Sequence, residues 1–318
     1  MSTLKKWYQL FHKSIQLQLF LTSISLPFLL AWGLPFSIMS PFSTLIFGPF
    51  LSLFLLISSL IFFSELLYLP NSILIWLLEK VTAFWFWCLQ MKQKTWLIGF
   101  SKPPLIILLC IPLAALAIIH TKKIQSLAQR TLLLALFLIG TCGSLKLLQF
   151  HHQLIEKIPC NKGELTLINH PHSLILIDPA FLAARPSYES LIAYGILPEI
   201  IQKTGRLHID HLIIGKFNKR ILDALTFLAT KVGIGTIYLP FWKGKIPSFA
   251  WKSFKELKKT VADNGGKIVS VSYKKQIKID EQSIIIIKPI ETKCISYYDA
   301  TYQPISIEGS INSKTISL

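Results

Sequence analysis

The pattern of hydrophobic and polar positions changes near residue 150 of the 318-residue chain. Before that point the apolar residues form long runs, and a membrane-spanning helix needs about 20 mainly apolar residues in sequence. After Lys162, short apolar runs alternate with polar turns, which is the pattern of a folded domain of strands and helices. We therefore predict a polytopic transmembrane domain over residues 1–150 and an α/β domain over residues 160–318.

Four apolar runs in the first half are predicted membrane spans, and a fifth run is interrupted by the adjacent charges Glu79 and Lys80. The fifth run is either a span with one face turned to a cavity or a helix at the membrane–water boundary, which suits its tryptophans. Four and five spans place the later basic loops on opposite sides of the membrane, so the side of the α/β domain stays open. The predicted spans are Leu17–Leu34, Leu45–Phe63, Pro104–Ile119 and Leu132–Leu148, with Ile73–Leu89 as the fifth.

Prolines and glycines interrupt the first two predicted spans. We expect Pro27, Gly33, Pro35, Gly48 and Pro49 to break the helices at membrane depth, where freed backbone groups need a protein or water partner. One interpretation is a polar pathway through the membrane that is lined by these breaks. The other interpretation is an ordinary bundle of kinked helices.

The second half is predicted to begin with a β-hairpin around His170-Pro171-His172 and to continue with alternating helices and strands. Such alternation is typical of an α/β or layered αββα domain. The last predicted helix carries a row of lysines, which is most often a solvated surface. The predicted strands are Glu164–Asn169, Ser173–Asp178, Ile209–Ile214, Thr236–Leu239, Lys267–Val271, Ile277–Ile279 and Ser283–Ile287, and the predicted helices are Pro198–Thr204, Lys219–Val232 and Trp251–Asp263.

Composition agrees with this division of the chain. Charged residues make up 15% of the sequence, against about 25% in a typical soluble domain. Residues 1–150 hold 11 Lys and Arg but only 2 Asp and Glu, whereas residues 151–318 hold 22 and 14. The first half thus has the composition of a membrane domain, and the second half that of a basic soluble domain. The five cysteines include no C-x-x-C pair, which excludes a zinc ribbon or a dithiol redox motif.

Short motifs in both halves follow one another in a recognisable order. In the first half they are Leu26-Pro27-Phe28-Leu29-Leu30, Gly33, Phe36-Ser37 and the segment Ser40–Pro49, in which Thr44 stands where the family described next usually has Asn. In the second half they are Leu176-Ile177-Asp178, Gly195-Ile196-Leu197-Pro198, Ile209–Ile214, Gly265-Gly266, Ile277-Lys278-Ile279 and Ile284–Pro289. Over about residues 15–290 this order resembles the ComEC family, inner-membrane channel proteins for DNA uptake in bacterial competence.

The resemblance implies a multi-span domain in the inner membrane, followed by a metallo-β-lactamase-like, partial αββα domain. It also implies a truncated member, because the family's amino-terminal soluble domain, first spans and distal metal-binding half have no counterpart here. The family's metal loop, H-x-x-x-D-H, falls on Lys216, Arg220 and Ile221. Metal sites need carboxylates or neutral imidazoles, whereas these residues supply two cations and an alkyl group. We therefore predict no metal, no cofactor and no catalytic residue.

Other candidate chemistry is weaker. His208 and Asp210 are predicted to share one face of a strand and His211 the other, which leaves too few donors for a structural metal site. His170 and His172 lie in a predicted hairpin turn, where they are expected to be surface residues. The sequence contains no G-x-S-x-G or G-x-x-x-x-G-K-[ST] motif, so neither a serine nucleophile nor an ATP-driven function is indicated.

The remaining chemistry is electrostatic. Lys216, Lys219 and Arg220 cluster in a predicted strand-to-helix turn, where they would attract DNA phosphates. We predict a non-catalytic ComEC-like inner-membrane protein, in or beside a channel for DNA uptake. Its expected partners are single-stranded DNA, membrane lipid, and other competence proteins or a missing half of the channel, with an oligomer as a further option. The alternative is a membrane-anchored scaffold or decayed remnant whose second domain binds only protein.

Overall fold

The computed structural model divides the chain into two compact units, which are described separately below. The second unit is assembled from three separate stretches of sequence, so its boundary is not a single point in the chain. The first unit comprises Met1–Ala31, Pro35–Ile98 and Pro103–Ser144, and the second comprises Trp32–Leu34, Gly99–Lys102 and Leu145–Leu318. The structure describes residues 2–90, 96–121, 126–149, 154–160, 163–171, 173–178, 181–183, 187–244, 248–278, 284–289, 295–297, 300–302, 305–311 and 314–317.

The first unit is helical. Its helices are α1 (Ser2–Trp32), α2 (Ser40–Leu66), α3 (Ser72–Gln90), α4 (Leu105–His120) and α5 (Leu127–Gln149), whose last residues belong to the second unit. Two short strands, β1 (Phe36–Ser37) and β2 (Leu97–Ile98), pair antiparallel. Each predicted span therefore coincides with a helix, although Leu17–Leu34 runs two residues past the end of α1 and Pro104 lies just before α4. Among the residues that the structure describes, three segments are long and apolar enough to cross a membrane, namely Phe11–Trp32, Ser40–Leu66 and Leu127–Gln149, while α4 is apolar but shorter.

Two of the predicted helix breaks are wrong. Helix α1 continues through Pro27, and α2 continues through Gly48 and Pro49. A proline removes one backbone donor, but the flanking turns of an apolar helix can continue past it. The first helix does end at Gly33, whose φ of +66° is the left-handed conformation that glycine adopts without steric cost, and Pro35 follows outside the helix.

A six-stranded mixed sheet forms the centre of the second unit. Its order is β3-β4-β5-β6-β7-β9. The first two pairings are antiparallel and the last three are parallel. The strands are β3 (Leu154–Cys160), β4 (Gly163–His170), β5 (Ser173–Asp178), β6 (His208–Ile214), β7 (Gly233–Pro240) and β9 (Lys267–Val271), with the short strand β8 (Trp242–Gly244) between the last two in sequence.

Helices cover one face of this sheet. They are a helical segment made of α6 (Tyr188–Ser190), a π-helical turn (Leu191–Ile196) and α7 (Leu197–Thr204), followed by α8 (Lys219–Lys231) and α9 (Ser248–Asp263). The apolar face of each helix packs on the sheet in one large core that includes Leu212, Leu225 and Leu257. Their amphipathic pattern explains why these segments are helical, since burial of one face supplies most of a helix's stability in a folded protein.

A second sheet covers the opposite face. This antiparallel sheet has the order β10-β11-β14-β15, and its isoleucines pack against Ile175, Ile177 and Ile213 of the central sheet. A third, three-stranded sheet has the order β12-β13-β8. The unit thus has three layers, in which helices, the six-stranded sheet and the four-stranded sheet follow one another. The remaining strands are β10 (Lys275–Lys278), β11 (Ile284–Pro289), β12 (Ile295–Tyr297), β13 (Ala300–Tyr302), β14 (Ile305–Ile311) and β15 (Lys314–Ser317).

The predicted membrane-type helices followed by a mixed α/β domain are confirmed at this level. The hairpin of β4 and β5, the parallel strands and the pairing of β10 with β11 all occur where the sequence predicts them.

Local interactions determine where two helices of this unit begin or end. The Asn218 side chain accepts a hydrogen bond from the Ile221 amide (2.8 Å) at the start of α8. Gly205, with a φ of +65°, ends α7.

Candidate functional site

The carboxyl edge is the end of the six-stranded sheet at which the parallel strands β5, β6, β7 and β9 finish. In open α/β sheets, ligands bind in the crevice outside the carboxyl ends of the strands. Helices α8 and α9 follow strands that end here, so both helices begin at this edge. We define the carboxyl edge by Asp178, Gly215–Asn218, Trp242 and the first turns of α8 and α9.

A basic turn connects β6 to α8 at the carboxyl edge. Lys216, Lys219 and Arg220 are all exposed there. Lys219 forms an ion pair with Asp223 one turn along α8 (3.2 Å), whereas Lys216 and Arg220 have no ion-pair partner among the described residues. The amino end of a helix carries a partial positive charge, which adds to that of the side chains. The turn therefore presents a positive potential to solvent.

An aromatic row runs along the same edge from α8 to α9. Phe217, in the basic turn, is buried and stacks on Trp242 with ring centres 4.8 Å apart. Trp242 meets Phe254 edge to face at 5.2 Å, and Phe254 stacks on Trp251 at 5.4 Å. Trp251 is 42% exposed at the outer end of the row. The aromatic row thus links the buried Phe217 to the exposed indole of Trp251.

Lysines also flank the far end of the aromatic row. The Nζ of Lys255 lies 5.9 Å from the Trp251 ring centre, which is within the range of a cation–π contact. The exposed lysines of α9 are Lys252, Lys255, Lys258 and Lys259. Because residues three and four apart share one side of a helix, Trp251 and these lysines form a single stripe. Cations therefore lie at both ends of the aromatic row.

The carboxylate at this edge is engaged by the backbone. Asp178, the last residue of β5, is fully buried. Its side chain accepts hydrogen bonds from the amides of Phe181 (2.5 Å) and Leu182 (3.3 Å). Its carbonyl oxygen accepts from the amide of Gly215 (2.8 Å), which ties the end of β5 to the basic turn. Asp178 therefore stabilises the backbone of the carboxyl edge through these hydrogen bonds.

Within the part of the chain that the structure describes, no group of three or more His, Cys, Asp or Glu side chains could hold a metal ion. The three positions matched to the family's metal loop lie at the start of α8. Lys216 and Arg220 point to solvent there, and Ile221 is buried in the core. The exposed Lys216 and Arg220 side chains are therefore suited to contact with an anion.

The histidine and aspartate candidates lie at the opposite end of the sheet, where the parallel strands begin. We call this end the amino edge and define it by Ser173–Leu174, Gly205–Arg206, His208–His211, Gly233 and Gly266. The His208 Nε2 lies 3.6 Å from the Asp210 Oδ1, which confirms that these two residues share a face. Asp210 also accepts a hydrogen bond from the Leu174 amide (2.7 Å) and lies 3.8 Å from Arg206.

His211 faces the other way, as predicted, with its ring centre 5.9 Å from that of Tyr238. Burial lowers the pKa of His211 below its ordinary value of 6.5, the nearby Asp210 carboxylate opposes this shift, and Lys267 adds to it. Contrary to the expectation for a surface turn, His170 is almost completely buried. His172 lies outside the described residues.

The five predicted channel-lining residues lie in different surroundings. Pro27 is buried within α1, whereas Gly48 and Pro49 are exposed on α2. Gly33 belongs to the second unit, where it packs against α7 so closely that an added Cβ would lie 2.2 Å from the Pro198 carbonyl oxygen. Pro35 is partly exposed. A lining role stays a prediction for each of them, and Gly33 has a packing role in addition.

Sequence reasoning missed the aromatic row. Its signal was present, because Trp242 lies two residues after the end of β7 and Trp251 lies three residues before Phe254 on α9. The connection through Phe217 could not be read from the sequence, since it depends on how the ends of two strands meet. No protein-family model matches this chain, and no curated protein matches it either.

Proposed function

We propose that this chain is a non-catalytic membrane protein whose α/β unit holds single-stranded DNA across the carboxyl edge, in or beside a multi-pass inner-membrane path for DNA uptake. The helical unit anchors it in the membrane. One observation carries the proposal: exposed cations lie at both ends of a row of stacked aromatic rings. Proteins that bind single strands without reading sequence combine such features, since phosphates pair with cations and bases stack on rings.

The chemistry of the edge supports contact over catalysis. Lys216 and Arg220 lie where the ComEC family, which this sequence resembles, has metal ligands. The Asp178 carboxylate already accepts hydrogen bonds from backbone amides. The aromatic row offers an exposed ring, Trp251, on which a base can stack. Energy for moving DNA would have to come from another protein, because the sequence contains no phosphate-binding motif for ATP.

Charge removal at the carboxyl edge tests the phosphate contacts. The full chain in nanodiscs of neutral lipid would be titrated with a fluorescent 20-nucleotide thymidine oligomer at several salt concentrations. For single strands, the slope of log K against log salt is about −0.7 per phosphate contact, so Lys216→Ala/Arg220→Ala should reduce the slope by about 1.4. The matched control Lys231→Ala/Lys267→Ala removes two exposed lysines near the amino edge and should leave the slope unchanged.

Ring removal tests the stacking. Trp251→Ala should weaken binding about fivefold to 150-fold, because one base–aromatic stack contributes about 1–3 kcal/mol, while Trp251→Phe should retain most of the affinity.

Equal loss of binding in the carboxyl-edge and control charge variants would contradict the proposed path. A DNA affinity that does not change with salt concentration, or no measurable DNA binding, would instead favour the protein-binding scaffold. An unchanged transformation frequency after deletion of the gene, in a transformable organism, would contradict a role in uptake.

A further inference from the structure

Helix α3 has one face that packs within its own unit. Val81 is buried, Phe84 stacks on Phe50 at 4.9 Å between ring centres, and Trp85 lies 5.2 Å from Phe47. Both partners are on α2, so this side of α3 is fixed against the neighbouring helix. On the opposite side of α3, the side chains of Ile75, Trp76 and Phe86 are exposed among the described residues.

The uncovered side carries the two charges of the helix. Successive helical residues lie about 100° apart, so Glu79, two residues before Val81, points away from α2. Glu79 and Lys80 are both exposed, and the Nζ of Lys80 lies 5.8 Å from the ring centre of Trp76. Within the described part of the chain, Glu79 has neither an ion-pair partner nor a hydrogen-bond partner.

The length and the exposed apolar side chains of α3 suit a helix in a membrane. The 19 residues of α3 span about 28 Å, close to the hydrocarbon thickness of a bilayer. Glu79 and Lys80 are its eighth and ninth residues and would lie near the centre. Ionisable side chains at that depth are costly against lipid and almost always face protein or a water-filled cavity. The large exposed apolar side chains of α3 are Ile73, Ile75, Trp76, Leu77, Phe84, Phe86 and Trp87.

We propose that α3 lies in the membrane and that a second copy of this chain covers its outer face. The adjacent opposite charges argue for this occupant, because such a face is complementary to itself. In a parallel two-fold arrangement, Glu79 of each copy meets Lys80 of the other, and the symmetry makes two ion pairs at one depth. Ala83, exposed one turn beyond Glu79, is small enough for the two helices to approach closely.

Charge reversal tests the pairing directly. The full chain in detergent micelles should be a dimer by light scattering, and Glu79→Lys or Lys80→Glu alone should convert it to monomer, because each places like charges together. The double variant Glu79→Lys/Lys80→Glu should restore the dimer. The two single variants, co-expressed with different affinity tags, should purify together. Glu65→Lys changes the other acidic residue of residues 1–150, at the end of α2, and should leave the dimer intact.

Cysteine cross-linking keeps the proposal testable if a charge variant fails to fold. Under mild oxidation in membranes, Ala83→Cys should give a covalent dimer beyond any formed by the wild-type cysteines, whereas Val81→Cys, which faces α2, should not. A monomeric wild-type chain would overturn the proposal. So would a dimer that survives both single reversals, or equal cross-linking at the two cysteine positions. Each of these outcomes is independent of DNA binding at the carboxyl edge.

Discussion

The two edges of the central sheet differ in what their polar groups do. At the amino edge, Asp210 gathers the Leu174 amide, Arg206 and His208, and the arginine donates to the Pro171 carbonyl (2.5 Å). At the carboxyl edge, Lys216 and Arg220 extend into solvent. The amino edge uses these polar groups to hold strands together, whereas the carboxyl edge leaves Lys216 and Arg220 available to a ligand. For binding, the number of charges at an edge therefore matters less than whether those charges already take part in contacts within the fold.

The largest expected effect on stability is at Gly205, one of the residues of the amino edge. Gly205→Ala would place a Cβ 2.6 Å from the Ser101 amide nitrogen at a φ of +65°, and should destabilise the unit by about 2–4 kcal/mol. Thermal unfolding of the full chain in detergent, followed by circular dichroism, measures this. Gly265→Ala is the matched control, since Gly265 also has a positive φ but has free space around it, and should cost about 1–2 kcal/mol. Equal losses would show that close packing at the amino edge adds nothing.

A smaller effect is expected at Asp210. Asp210→Ala removes the acceptor of the Leu174 amide and should reduce stability by about 1–3 kcal/mol. Asp210→Asn keeps an oxygen that can accept this hydrogen bond and should lose less. Urea titrations of the three proteins at one pH give the ranking. If the asparagine variant is as unstable as the alanine variant, charge and not the hydrogen bond holds the amino edge.

The smallest effect concerns pH and His211. Its pKa is lower in the folded protein than its ordinary value of 6.5, so below that value the unfolded chain binds more protons than the folded chain. Stability should therefore fall as the pH drops below about 6.5. His211→Phe keeps a ring beside Tyr238 and should flatten this part of the profile, measured as melting temperature between pH 7 and pH 5. If His211→Phe keeps the wild-type slope, His211 is excluded as the cause.

Much of the second unit could be predicted from its sequence because its signals are local. Short apolar runs mark β5, β6 and β7, Asn218 caps α8, and Gly205 ends α7, so the order of the elements from β4 to β11 was largely predicted, whereas β3, β8 and β12 to β15 were not. The basic turn was also found, since its residues are adjacent in the chain. Proline was misread in the helical unit, because the loss of one hydrogen bond at Pro27 or Pro49 does not stop a long apolar helix.

What the sequence could not predict depends on contacts between distant segments. The aromatic row joins Phe217 to α9 across 34 residues, from Phe217 to Trp251. The position of Gly33 against Pro198 is of the same kind. The burial of His170, which lies in a predicted hairpin turn, was not predicted either. Such pairs carry no periodic signal, and only a folded chain brings them together.

The second unit is built from three separate stretches of the chain, which limits how it can be produced as an isolated fragment. Trp32–Leu34 and Gly99–Lys102 are integral to it, and Phe100 is almost completely enclosed. A soluble fragment cut at residue 160 would lack these pieces and expose the surface that they shield. During synthesis, the unit would be complete only once loops made much earlier are in reach. Attempts to study it by excision should therefore splice those two loops back in, or retain the whole polypeptide in a lipid environment.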